Sequence, residues 1–355
     1  MIWVFVISLV ILVIVLELKG AEWSLGRLHY EAECDTLLAQ PGETVTLTSH
    51  VENRSLLPAL YIQLSEYLPA ETALHADAGW MESHTHLRPD ELCVNETTFL
   101  LPRRRRTASL SFTLPNRGWY RLGRATVCAG DFLGIRESFR REDTRLEIVV
   151  IPKRCESPDV MRSLGGFLGD ISGRRFILED PILTVGFREY TGREPMKAIS
   201  WNQSVRTGTL QVKQYDHTVD ITVSVILNSE GGTRAQMEQC YRITRTVCEE
   251  LEAKGIPYEF RTNGDLTGPV DFLHWVAEGL GQQHLRTILY GLGRANCRHI
   301  GSFDQLIRRT MRRARSNQGY IVITPPLSPE KRMVVDSLKA NGSTLCVLTG
   351  EEVDE

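Results

Sequence analysis

The chain of 355 residues is 42% hydrophobic and 24% charged, with 41 Lys+Arg against 44 Asp+Glu and a formal net charge of −3. That composition belongs to a folded chain long enough for two ordinary domains, and it excludes disordered, collagen-like and low-complexity classes. The near balance of charge excludes a whole-chain basic field for nucleic acid, while the mean hydropathy of −0.18 hides an uneven spread of apolar residues.

Residues Met1 to Leu16 contain one polar residue, Ser8, and no charge, and Glu17 breaks the run before Leu18. As a helix, Met1 to Leu18 reaches about 27 Å, the thickness of a thin bilayer core, and it has no polar face. No basic residue opens the run, and Leu18-Lys19-Gly20-Ala21 is a poor signal-peptide cleavage site. The run predicts a retained transmembrane anchor at 1–19, with residues 1–18 in the membrane, and so a single-pass protein of the plasma membrane. Lys19 and Arg27 follow it, which favours a cytoplasmic location for the bulk of the chain. Asn53-Arg54-Ser55 and Asn95-Glu96-Thr97 match the glycosylation triplet, which counts only if the bulk lies outside. The eight cysteines (Cys34, Cys93, Cys128, Cys155, Cys240, Cys248, Cys297, Cys346) form no C-x-x-C pair, and their scatter predicts buried free thiols in a reducing compartment.

From 27 to 152 the rhythm is one of short strands with turn punctuation. Thr44 to Thr48 alternates after Pro41-Gly42, Ser109 to Leu114 alternates up to Pro115-Asn116-Arg117-Gly118, and Arg145 to Ile151 closes the region. This spacing predicts an all-β sandwich. Arg103 to Arg106 reads as turn or edge-strand charge, with lipid headgroups as the sharper alternative. The span 153–216 reads as a connector, made loop-like over Lys153 to Arg175 by Gly165-Gly166, Gly169 and Gly173. From 217 to 350 strands alternate with helices. Val219 to Leu227 is a buried strand, and Thr233 to Lys254 is a helix with Met237, Tyr241, Thr244, Val247, Cys248 and Leu251 on one stripe. Pro257 to Arg261 is a strand, Ser302 to Ala314 a helix, Tyr320 to Thr324 a strand, Pro329 to Ala340 a helix and Thr344 to Thr349 a last strand. The expected fold class is therefore multi-domain α+β: an N-terminal transmembrane helix, an all-β sandwich and an α/β Rossmann-like domain with a mostly parallel sheet.

The most distinctive stretch runs from Gly186 to Asp216, GFREYTGREPMKAISWNQSVRTGTLQVKQYD. Its Arg188, Tyr190, Ile199, Trp201, Ser204, Arg206, Leu210, Val212 and Lys213 fall at the places of a signature R-x-Y-x-x-G-D-x-x-R-x-I-x-W-x-x-S-A-R-x-x-x-L-x-V-[KR], with Gly192 one place before the signature's Gly and Glu194, Lys197 and Val205 departing from it. Upstream, Arg117-Gly118-Trp119-Tyr120-Arg121-Leu122-Gly123 and Asp131-Phe132-Leu133-Gly134-Ile135 match R-G-x-Y-x-L-G and, with three departures, D-P-F-G-L. These ordered motifs resemble those of the family called domain of unknown function 58. The resemblance implies a membrane-anchored bacterial or archaeal protein ending in a von Willebrand factor A-like domain. It also implies a gene beside those of MoxR-type AAA ATPases and, often, transglutaminase-like membrane proteins, and an adaptor or assembly-factor role.

An A domain of that type holds Mg²⁺ through D-x-S-x-S after the first strand and T-D-G after the fourth, because a hard cation takes carboxylate and hydroxyl oxygens. In this chain the first strand ends Asn228-Ser229-Glu230-Gly231-Gly232 and the fourth Thr324-Pro325-Pro326, leaving a degenerate ion site of Asn228, Glu230 and Thr324 in which no metal is expected. In the signature segment, Tyr190, Trp201, Arg206 and Lys213 suit a docking surface. The alternative is that Trp201 and Tyr190 pack a domain junction while Arg188 and Arg206 pair with Glu189, Glu194 or Asp216. Arg308, Arg309, Arg312, Arg313 and Arg315 form a basic helix face suited to an acidic partner.

His84-Thr85-His86 lacks a third metal ligand, Asp216-His217 with Ser204 does not make a triad, and no H-E-x-x-H, G-x-S-x-G or Walker loop occurs. No catalytic residue and no cofactor is expected. The reading is a membrane-anchored, non-enzymatic adaptor acting with a MoxR-type AAA ATPase, without nucleic acid. The alternative is an extracytoplasmic adhesion or ligand-binding protein.

Overall fold

The computed structural model describes residues 2–75, 79–83, 90–131, 136–177, 180–192, 194, 196–216, 222–268, 271–313 and 318–351. The chain divides into two compact units, Met1–Lys153 and Arg154–Glu355. Strand outweighs helix, 43% against 32%. This corrects the expected fold class: the chain is mostly β, and among the described residues no helix is long and apolar enough to cross a membrane.

The first unit opens with helix α1 (Ile2–Arg27) and continues as β1 (Leu28–Cys34), β2 (Leu38–Ala39), β3 (Thr44–Asn53), β4 (Ala59–Pro69), β5 (Ala73–Leu74), β6 (Trp80–Ser83), β7 (Glu91–Leu100), β8 (Arg105–Thr113), β9 (Gly118–Gly130) and β10 (Glu137–Val150). α1 does not stop where the apolar run stops. It continues through Lys19 and Glu22 and passes directly into β1. Its last turns bury Ala21 and Leu25, and Arg140 donates to the Leu25 and Leu28 carbonyls at 3.1 and 2.7 Å. The expected transmembrane anchor, and with it the single-pass plasma-membrane location, is therefore not what these residues form.

The strands make a four-stranded sheet, β1-β3-β8-β5, and a six-stranded sheet, β2-β10-β9-β4-β7-β6. Alternate residues of β3 and β4 face one core, Val45, Leu47 and Val51 from one and Ile62, Leu64 and Leu68 from the other. Three polar residues, Ser49, Asn53 and Glu66, sit in those inward rows. Glu66, fully buried, accepts hydrogen bonds from Tyr30 Oη (2.7 Å) and Ser49 Oγ (2.6 Å) through one oxygen, while its second oxygen has no partner. Burial outweighs these bonds and pushes the Glu66 carboxyl up to about 7.

The glycosylation triplets fall inside this unit. Asn53 is 1% exposed, with its amide donating to the Leu57, Leu100 and Leu101 carbonyls. Asn95 lies mid-strand, with β4 and β6 on either side. Arg105 and Arg106 pair with Glu31 and Glu96, so this part of the arginine run braces strands. Phe132, Leu133, Gly134 and Ile135 of the upstream motif, and His84 and His86, lie outside the described residues.

The second unit comprises α2 (Pro158–Ile177), β11 (Asp180–Glu189), the short α3 (Trp201–Thr207), β12 (Gln211–Asp216), β13 (Val223–Leu227), α4 (Arg234–Ala253), β14 (Tyr258–Thr262), β15 (Gly264–Leu266), β16 (Trp275–Gly279), α5 (Gln282–Arg294), β17 (Ala295–His299), α6 (Phe303–Met311), β18 (Gly319–Thr324), α7 (Pro329–Asp336) and β19 (Thr344–Thr349). The loop-like connector is largely α2. Its glycines 165, 166 and 169 lie on the exposed face, while Leu164, Phe167, Leu168 and Ile171 recur at helical spacing and are buried. Glycine weakens a helix by only about 1 kcal/mol per residue, and burial of four large side chains outweighs it.

The main sheet runs β16-β14-β13-β18-β19. Its last four strands are parallel and β16 is antiparallel at one edge. α4 starts in a capping box between Thr233 and Gln236, and its whole predicted stripe is buried. The pairs β11–β12 and β15–β17 and the edge strand β16 add strands in spans to which the sequence pattern assigned no element. All eight cysteines are free, four of them half-buried rather than buried.

Candidate functional site

Parallel strands end their backbone ladders at one edge, and side chains from the following loops converge there. β13, β14 and β18 bring Asn228, Asn263 and Thr324 to that edge. Asn228 is fully buried. Its Nδ2 donates to Thr324 Oγ1 at 2.9 Å, and its Oδ1 accepts from the Glu230 amide at 3.0 Å and from Asn263 Nδ2 at 3.2 Å. Asn263 Oδ1 in turn accepts from the Ser229 amide at 2.8 Å, and Thr324 Oγ1 donates to the Pro325 carbonyl at 3.0 Å. At Gly232 a Cβ would lie 2.6 Å from the Pro325 ring, so a serine there would collide.

Glu230 closes the edge. One oxygen accepts from the Phe303 amide at the start of α6 (2.7 Å) and the other meets Lys331 Nζ of α7 at 2.9 Å. The Phe303 amide first, and then Lys331, hold the Glu230 carboxyl below its usual range.

Asn228, Glu230 and Thr324 lie together at this edge, and Asn263 and Lys331 join them. The Mg²⁺ ion that the resemblance implies for an A domain does not fit this donor set. The one carboxylate is engaged by an ammonium group, the Asn228 and Asn263 amide nitrogens supply N–H donors, and the Thr324 hydroxyl is committed on both sides. A hard cation needs several free oxygens. Among the described residues, no group of three His, Cys, Asp or Glu is placed to hold a metal. Calorimetric titration with Mg²⁺ is expected to show no saturable heat; micromolar binding abolished by Glu230→Ala would overturn this. A residue in the first turn of the helix after β18 was the one signal pointing to Lys331, since that turn folds back over the strand edge.

The signature segment folds as β11, a turn, α3 and β12. Arg188 pairs with Glu194 at 2.6 Å. Hydrogen bonds from Thr191, and then the Arg188 guanidinium, pull the Glu194 carboxyl down to about 2. Gly192 turns the chain with φ +85°, a conformation that suits glycine. Ser204 is a structural pin: its Oγ donates to the Ser200 carbonyl and accepts from the Gln211 amide, both at 2.8 Å, fixing α3 to β12. Ile199 and Val212 are buried beneath it, and Tyr190 is half-buried with its amide bonded to the Leu210 carbonyl.

Trp201 does not pack a core. It is 58% exposed, and Val205, one turn further along α3, is 83% exposed. Arg206 and Lys213 are exposed too, and Arg206 has no ion-pair partner among the described residues. Of the two readings the sequence left open, Arg188 follows the pairing one, and Trp201 and Arg206 show the open surface. His217 lies outside the described residues, and Ser204 is occupied as a pin.

No protein-family model matches the chain, and no curated protein matches it. Among solved structures it is similar to the CARDB domain of the PF1109 protein from Pyrococcus furiosus, at 13% identity and a TM-score of 0.22, covering 35% of this chain and 91% of that one. It is also similar to PapD-like domain 7 of human CEP192, at 14% identity and a TM-score of 0.21, covering 34% and 84%. A third likeness is to the full-length major pilin SpaD from Corynebacterium diphtheriae, at 10% identity and a TM-score of 0.27, covering 37% and 39%. At such scores they carry no argument about what the chain does.

Proposed function

We propose that the protein is a non-enzymatic adaptor of the domain of unknown function 58 kind, and that it docks a MoxR-type AAA ATPase through its signature segment. The observation that carries this reading is the exposed pair Trp201 and Val205 beside Arg206, which has no ion-pair partner among the described residues, on a helix held by Ser204. Tryptophan and arginine are the residues that anchor interfaces, and a pre-fixed backbone lowers the entropy cost of binding. The self-neutralised edge at Asn228, Glu230 and Thr324 supports a recognition role that runs without a metal ion. The partner's identity comes from the family resemblance.

The test is retention of a MoxR-type ATPase from the same genome by the full chain, with nucleotide present. Wild type is expected to retain it, and Trp201→Ala and Arg206→Ala are each expected to weaken retention by about tenfold or more. No association with wild type, or equal association with both variants, would sink the proposal.

A further inference from the structure

A second site lies beside β14, and the docking proposal does not use it. Between β14, β16 and α6 is a cavity of about 520 Å³ whose walls include Arg261, Trp275, Leu306, Arg309, Arg312 and Arg313. That volume lies within the range of small-molecule pockets, roughly 300–1,000 Å³. Arg309, Arg312 and Arg313 follow one another at helical spacing at the end of α6, so they present one face.

The charges in this cavity do not cancel. Glu259 is the carboxylate beneath it, and it is committed to Arg261 by two hydrogen bonds of 3.0 and 2.8 Å. It also accepts from Ser224 Oγ at 2.5 Å and from Trp275 Nε1 at 3.3 Å. Burial raises the Glu259 carboxyl, but hydrogen bonds from Arg261 and Ser224 outweigh it and hold the group below its usual range. Arg309, Arg312 and Arg313 have no carboxylate partner among the described residues. Arg313 rests over the Trp275 ring at 4.3 Å from its centroid, and Arg261 stands 5.4 Å from the same ring. The indole, tied at its N–H and contacted by both guanidinium groups, is therefore a fixed wall.

Three uncompensated guanidinium groups around one cavity repel one another, and the α6 carboxyl terminus offsets only part of that cost. An anion with several charges removes the repulsion. Arginine forks match phosphate oxygens two at a time, and three of them match a linked pair of phosphates better than one carboxylate does. We infer that this cavity is a binding site for a small ligand carrying a pyrophosphate group, with Arg309, Arg312 and Arg313 as its anion-binding residues.

The test is calorimetric titration of the full chain with inorganic pyrophosphate, orthophosphate and a short glutamate peptide. Pyrophosphate is expected to bind saturably and most tightly of the three, and more weakly as salt rises. Arg309→Ala and Arg312→Ala are each expected to weaken it by about tenfold to a hundredfold. Arg308→Ala, on the same helix but outside the cavity, should change it less than about twofold. These arginines are exposed, and circular dichroism on each variant confirms folding. Absence of saturable pyrophosphate binding overturns the site, as does an equal effect of Arg308→Ala. Tighter binding of the glutamate peptide overturns the ligand class in favour of an acidic protein partner.

Discussion

Replacing Glu66 by glutamine is expected to abolish a loss of stability of about 3 kcal/mol that wild type suffers between about pH 4.5 and about pH 8. Glu66 lies in the inward row of β4 among Ile62, Leu64 and Leu68, with one oxygen bonded to Tyr30 and Ser49 and the other unpartnered. Its carboxyl titrates near 4.5 when unfolded and is raised to about 7 by burial when folded. The folded state therefore binds this proton more tightly. The stability tied to the protonated form is complete below about 4.5 and is lost as pH rises through about 7. Glutamine keeps the shape and the acceptor for Tyr30 and Ser49 but never ionises, so the variant should hold its stability at the alkaline end. Urea titrations read by hydrogen exchange in peptides covering Thr44 to Pro69 measure this in the first unit alone. An unchanged pH slope in Glu66→Gln would show that another group sets it.

The second large effect is at Glu259. Truncation to alanine leaves the Arg261 guanidinium, 6% exposed as a residue, without its carboxylate, and releases Ser224 and Trp275. Removing one partner of a buried ion pair costs roughly 3–5 kcal/mol, whereas exchanging both partners for apolar residues of similar size is neutral or stabilising. Glu259→Ala should therefore unfold the second unit at markedly lower urea, and Glu259→Leu with Arg261→Met should recover most of the midpoint. If the single variant lost less than about 1 kcal/mol, or the double variant were worse, the pair would not be the brace described.

Much of this molecule is legible in one dimension. The alternation in Thr44 to Thr48 and Ser109 to Leu114 became β3 and β8, because a period of two presents one face to a core. The stripe from Met237 to Leu251 became the buried face of α4. Other features failed locally. The glycines of Lys153 to Arg175 signalled a loop because local propensity weighs each residue alone, while the helix is held by burial of four of its own side chains, Leu164, Phe167, Leu168 and Ile171. The apolar run at the amino end signalled an anchor because a window of sequence stops at its own edge, whereas α1 continues to Arg27 and buries Ala21 and Leu25.

The sequence by itself determined the sandwich rhythm and the α4 stripe, both of them properties of neighbouring residues. The tertiary structure alone decided which charges meet. Lys331 reaches Glu230 across 101 positions of chain, and Arg261 and Trp275 join the α6 arginines around one cavity. Electrostatic partnership depends on distance and burial in space, and the order of residues along the chain encodes neither until the strands and helices have packed.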